Sequence, residues 1–106
     1  MKNYKLTSET KVNFYGVTLF RLEIIVDCKI GKKGDKGGWV EKEDNIHPES
    51  DAKISGDAKI WGNAKIYGNA EIWGDAKISG DAEISGDAKI WGNAEIWGYA
   101  KISGDA

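Results

Sequence analysis

From Asp51 onward the chain repeats small, charged and apolar positions with a period of six. Alanine stands at Ala52, Ala58 and Ala64, isoleucine two places after each, and glycine recurs from Gly56 to Gly104 without a gap. The hexads run DAKISG, DAKIWG, NAKIYG, NAEIWG, DAKISG, DAEISG, DAKIWG, NAEIWG and YAKISG, and Asp105 and Ala106 follow. In extended backbone successive side chains point to opposite faces. Alanine and isoleucine therefore face inward, while the charge and the following serine, tyrosine or tryptophan face outward. Gly-Asp and Gly-Asn pairs supply corners, because these residues tolerate unusual backbone angles. Four strand residues and a two-residue corner, taken three times, close a triangular coil of eighteen. Such coils stack at the inter-strand spacing of about 4.8 Å.

Stacking by eighteen sorts the outward residues into columns. Lys53-Glu71-Lys89 and Lys65-Glu83-Lys101 alternate in sign, while Lys59-Lys77-Glu95 contains one like-charge step. The variable positions form Ser55-Trp73-Trp91, Trp61-Ser79-Trp97 and Tyr67-Ser85-Ser103. Two faces thus carry tryptophan. Trp61, Trp73, Trp91 and Trp97, with Glu71 and Lys89 beside the Trp73-Trp91 pair, are the candidate contact residues, since tryptophan is enriched in binding hot spots and costly to leave in water. The competing expectation is that these rings pack on the head of the same chain or on a second copy.

The first fifty residues are irregular. Phe20, Leu22, Ile24, Val26, Cys28 and Ile30 alternate with polar residues, the period of a half-buried strand. With Leu6–Phe14 before Tyr15-Gly16, they predict a hairpin of residues 4–14 and 17–30. Two strands alone are marginal in water, so something else must cover their apolar face, most simply the first coil. Residues 31–38, Gly-Lys-Lys-Gly-Asp-Lys-Gly-Gly, read as a flexible connection; they lack the Walker spacing of a phosphate-binding loop. Trp39 and Val40 are placed to lead into the first coil, and Ile46 to continue its inward row. The fold expected is all-β, a short parallel β-helix of about three triangular coils over residues 51–106, preceded by a β-rich hairpin cap over residues 1–50.

Charge and composition narrow the function. Lysine and arginine number 15 against 17 acids, a net charge of −2 that sets up no general field for nucleic acid or anionic membranes. Within the repeat nine acids face six lysines, too mixed to imitate a phosphate column. Direct nucleic-acid binding is not expected. The single cysteine, Cys28, forms no internal disulfide and no zinc-type Cys/His spacing exists, so no metal or other cofactor is expected. The corner aspartates are spaced by turn chemistry rather than as calcium ligands. Neither a signal peptide nor a run of about 20 apolar residues is present, which points to a soluble cytoplasmic protein without membrane contact. The last coil, with Ile102, Asp105 and Ala106, carries no polar cap, and an unpaired edge of this kind predicts a homodimer joined through the C-terminal coils.

The repeat resembles the hexapeptide-repeat family of left-handed parallel β-helices over the whole of 51–106. Members of that family are often trimeric acyltransferases whose sites use a histidine. The sole histidine here, His47, lies before the repeat beside Pro48, and no loop interrupts the coils, so no catalytic residue is assigned. Tyr4-Lys5-Leu6-Thr7, Gly16-Val17-Thr18-Leu19 with Arg21, and Gly37-Gly38-Trp39-Val40-Glu41 with Glu43-Asp44-Asn45-Ile46 look like the head of small phage and prophage hexapeptide-repeat proteins. The resemblance implies a non-catalytic protein in a bacterial host cell that binds and occludes a host component, such as part of a defence system, with a nucleotide ligand left open. A self-assembling structural module is the alternative, and an acyltransferase the third.

Overall fold

The computed structural model describes residues 1–104. Three strands open the chain, β1 (Tyr4–Val12), β2 (Thr18–Ile24) and β3 (Lys36–Val40), and a 3₁₀ turn follows at Glu43–Asn45. Nine two-residue strands then mark the hexads: β4 (Lys53–Ile54), β5 (Lys59–Ile60), β6 (Lys65–Ile66), β7 (Glu71–Ile72), β8 (Lys77–Ile78), β9 (Glu83–Ile84), β10 (Lys89–Ile90), β11 (Glu95–Ile96) and β12 (Lys101–Ile102). They stack in parallel as β4-β7-β10, β5-β8-β11 and β6-β9-β12, the three walls of a β-solenoid. Each rung pairs residues eighteen apart, as in Lys53 with Glu71 and Lys89, or Lys65 with Glu83 and Lys101. The hexad glycines, with φ between +64° and +73°, turn the corners.

Alanine and isoleucine fill the interior: Ile54, Ile60, Ile66, Ile72, Ile78 and Ile84 are fully buried, as are the alanines from Ala58 to Ala88. The head adds a partial coil above them, bringing the solenoid to about four turns. Val40 lies over Ile60 through the parallel pairing of β3 with β5, and Ile46 bridges to Ile66. Tyr4, Leu22, Ile24 and Ile30 complete the same core. The sheet β1-β2-β3-β5-β8-β11 therefore runs without a break from the hairpin into one solenoid wall.

Three sequence expectations need correction. The connection expected at 31–38 to be flexible is instead tied down: Cys28 and Gly31 bridge, the Gly34 amide donates to the Ile24 carbonyl at 2.8 Å, and Lys36, Gly37 and Gly38 belong to β3, where both glycines are buried. They are glycine because the chain passes close to the first coil: a Cβ on Gly38 would lie 2.6 Å from Ile54 Cγ2 and 2.8 Å from the Ala58 carbonyl oxygen. The long second strand of the hairpin ends at Ile24, and Val26 is exposed. Its alternation is also broken, since Leu19 and Leu22 are both buried, and the register with β3 shifts between Arg21 and Glu23. Finally, the first strand stops at Val12, ahead of an exposed tip at Phe14 and Tyr15.

Candidate binding surface

Two aromatic faces stand on the solenoid, and their geometry differs. On the β4-β7-β10 wall, Trp73 stacks on Trp91 with centroids 6.1 Å apart and planes inclined by 14°. The rung spacing imposes this contact, because side chains directly opposite on neighbouring strands come within stacking range. Trp91 is 63% exposed and Trp73 half-buried. Glu71 and Lys89 are register partners on the same two neighbouring rungs, beside the pair. Above them the head contributes charge: Lys29 Nζ donates to Asn69 Oδ1 at 2.8 Å and pairs with Asp51 at 3.5 Å.

On the β5-β8-β11 wall the aromatic column is interrupted. Trp61 and Trp97 are separated by Ser79, and the hairpin tip folds over so that Tyr15 meets Trp61 at 6.0 Å. Phe14 stands edge-on to Tyr15 at 5.6 Å. The Asn13 carboxamide oxygen shapes this tip by accepting the Tyr15 and Val17 amide hydrogens at 2.9 and 3.0 Å. Tyr15, Trp61, Lys77, Ser79, Glu95, Ile96 and Trp97 enclose a cleft of about 540 Å³. Tyr15 is the residue that sequence reasoning missed. Its signal was two adjacent aromatics, Phe14 and Tyr15, at a turn where no core can receive them.

The structure thus separates the four candidate tryptophans into two pairs on different walls. Trp61 packs against the head of its own chain, whereas Trp73 and Trp91 pack on each other. Of the cap residues, Val40 and Ile46 enter the core, while Trp39 lies on the outer face, in register with Arg21 and Lys59. Its 4% exposure comes from the cations above it, Lys11 Nζ at 4.3 Å and Arg21 Cζ at 5.1 Å from the ring centroid. Beside them, burial and then Lys11 hold the Lys59 ammonium below the usual lysine range, with Lys77 adding to the effect. Ile102 is half-buried at the last described rung; Asp105 and Ala106 lie outside the described residues.

His47 is exposed, 5.3 Å from the Tyr67 ring, and its Nδ1 accepts the Glu49 amide hydrogen at 3.1 Å. Among the described residues no group of three His, Cys, Asp or Glu side chains is placed to hold a metal ion. No helix among them is long and apolar enough to cross a membrane. The chain matches no family model and no curated protein.

Proposed function

We propose that this protein is a non-catalytic, phage-type binding protein of the bacterial cytoplasm that acts by occluding a host component, such as part of a defence system. The observation that carries this reading is the Trp73-Trp91 stack, an exposed aromatic patch flanked by Glu71 and Lys89 on a wall whose backbone is hydrogen-bonded rung to rung. A surface held this rigidly loses little conformational entropy on binding. Stacked tryptophans with a charged border have the composition of an interface hot spot. The hexapeptide period and the head motifs supply the phage-type part of the reading by resemblance.

The double substitution Trp73→Ser with Trp91→Ser tests it, because serine already occupies equivalent hexad positions at Ser55, Ser79, Ser85 and Ser103. The expected outcome is an unchanged circular dichroism spectrum together with loss of a protein partner that the native chain captures from bacterial lysate. Capture of no partner by the native chain, or equal capture by the folded variant, overturns the reading.

A second reading is self-association through the C-terminal coil. The exposed large apolar side chains of the solenoid, Trp91, Trp97 and Tyr99, all lie between residues 87 and 104. Light scattering at micromolar concentration decides it: a homodimer favours the second reading, and a monomer removes it.

A further inference from the structure

The aromatic columns obey one rule, and the Trp61-Ser79-Trp97 column departs from it in an informative way. Where tryptophans occupy neighbouring rungs, as Trp73 and Trp91 do, the rungs bring the rings into stacking contact. With serine on the middle rung, Trp61 and Trp97 stand two rungs apart, about 9.6 Å along the solenoid from the spacing of paired strands. A single ring at the level of Ser79 would lie about one strand spacing from each tryptophan, within the ~4.5–7 Å range of aromatic pairs. The opening between the tryptophans forms part of the 540 Å³ cleft, a volume within the range of small-molecule sites. Tyr15 from the hairpin tip narrows it at the Trp61 side.

The cleft carries charge as well as apolar rings. Lys77 and Glu95 are register partners on neighbouring rungs, Lys77 on the rung of Ser79 and Glu95 on that of Trp97, and both line the opening with Ser79. Among the described residues neither forms an ion pair within 4.0 Å. A ring inserted between the tryptophans would have a cationic donor at its own level and an anionic acceptor based one rung further on, each on a side chain long enough to reach its edge. An ammonium donates only, and an ionised carboxylate accepts only. The edge that matches them carries a carbonyl oxygen next to N–H donors.

We propose that this cleft is a slot for one planar heteroaromatic ring with such an edge, of which guanine is the type, with Trp61 and Trp97 stacking on its two faces, Lys77 donating to its carbonyl oxygen and Glu95 accepting from its ring N–H and amino groups. Among the described residues this wall has one slot, so the ligand is a free base, nucleoside or mononucleotide and not a run of stacked bases in a strand. The site is independent of the protein-binding reading, since the Trp73-Trp91 stack lies on another wall. Each can fail without the other.

Titration of the native chain with guanosine, followed by tryptophan fluorescence, tests the slot. Saturable quenching is expected, and its absence up to millimolar guanosine overturns the proposal. Ser79→Trp fills the opening with a third ring, and Trp97→Ser removes one wall while restoring a residue that the repeat uses elsewhere. Both variants are expected to keep the native circular dichroism spectrum and to bind at least tenfold more weakly. Should Ser79→Trp not fold, Trp97→Ser carries the test alone, and full binding by that variant overturns the proposal. Trp73→Ser with Trp91→Ser is expected to bind guanosine as the native chain does, and loss of binding there overturns the placement. Glu95→Gln is expected to weaken guanosine at least tenfold while changing adenosine less than threefold; equal losses overturn the assignment of the edge.

Discussion

The Tyr4 hydroxyl bridges both backbone polar groups of Ile54, accepting its amide hydrogen at 3.0 Å and donating to its carbonyl oxygen at 3.3 Å. Ile54 begins the β4-β7-β10 wall, whose other strands find these partners in a neighbouring strand. One phenol therefore stands in for a missing rung. Tyr4→Phe keeps the ring in the core and leaves a buried N–H and C=O unpaired, at a cost of about 1–3 kcal/mol. The expected reading is a lower urea midpoint with an unchanged m-value, and an unchanged midpoint would show that water replaces the hydroxyl without loss.

The same hydroxyl gives stability a signature at high pH. Burial is the largest cause that raises the Tyr4 pKa from 10.0 to about 12. Its folded value lies above the unfolded one, so its contribution is complete below pH 10 and disappears as pH rises through 12, a loss of about 2–3 kcal/mol for a shift of this size. Lys59 is shifted downward and acts in the opposite sense. The informative quantity is therefore the difference between native chain and Tyr4→Phe, which should shrink between pH 9 and pH 12.5 in urea melts. On the acid side, hydrogen bonding to Lys36 is the main cause holding Glu23 low, and hydrogen bonding to Asn3, then Lys2, does so for Asp51. Their contribution is present above the ordinary carboxylate pKa and is lost as pH falls through the depressed folded values.

Glycine at position 38 is fixed by backbone that cannot move aside. Gly38→Ala directs a methyl to within 2.8 Å of the Ala58 carbonyl oxygen and 2.6 Å of Ile54 Cγ2. Overpacking of this kind costs about 1–3 kcal/mol and pushes β3 off the first coil. Gly92→Ala is the control, since its Cβ meets nothing within 4 Å and only its φ of +68° opposes the change. That left-handed angle costs about 1–2 kcal/mol. Thermal melts should place Gly38→Ala below Gly92→Ala; the reverse order would mean that β3 can lift without loss.

The solenoid was legible because its information is local and repeated. Alternation sets which side chains point inward, glycine sets the corner, and three corners set the eighteen-residue rung, so Trp73 could be placed on Trp91 from the sequence alone. The head was less legible for the same reason in reverse. Gly37 and Gly38 are glycine on account of Ile54 and Ala58, contacts that exist only once the head lies on the first coil. The turn at Gly16 could be read from the chain, but not the direction in which its tip folds, and that direction brings Tyr15 to Trp61. Leu19 and Leu22 defeat a period of two through the shift in strand register between Arg21 and Glu23.

Asn45, in the 3₁₀ turn after β3, is a second rung substitute. It is fully buried, accepts the Glu41 and Lys42 amide hydrogens at 3.1 and 3.0 Å, and donates to the Gly62 and Ala64 carbonyls at 3.2 and 2.9 Å. Asn45→Ala strips all four bonds at once. The expected loss is about 3 kcal/mol or more, larger than for Tyr4→Phe, because more buried groups are left without partners. Asn45→Asp keeps the acceptor side only and sets a carboxylate against two carbonyls, so it should melt lower at pH 7 than at pH 3 when each is referred to the native chain.

The column Lys59-Lys77-Glu95 holds the one like-charge step among the rungs, and Lys11 adds a further cation at its upper end. Lys59 is half-buried there, with its ammonium donating to the Asp57 carbonyl at 3.1 Å. Lys59→Glu would put an acid between Lys11 and Lys77 and make the column alternate as the other two do. Opposite charges on neighbouring strands are worth about 0.2–1 kcal/mol per pair, which applies to Lys77 on β8, while Lys11 on β1 acts from beyond Trp39; the substitution turns both repulsions into attractions. It also gives up the bond to Asp57 and brings the carboxylates of Asp57 and Asp75 closer to one of like sign. Lys11 acts on this position more strongly than Asp57, and Lys77 more strongly than Asp75, so the attractions exceed the repulsions and a small rise in melting temperature is expected at low salt, shrinking at 0.5 M salt as the charges are screened. A salt-independent change would assign the effect to packing, and a fall in melting temperature would show that Asp57 and Asp75, not the lysines, set the local field.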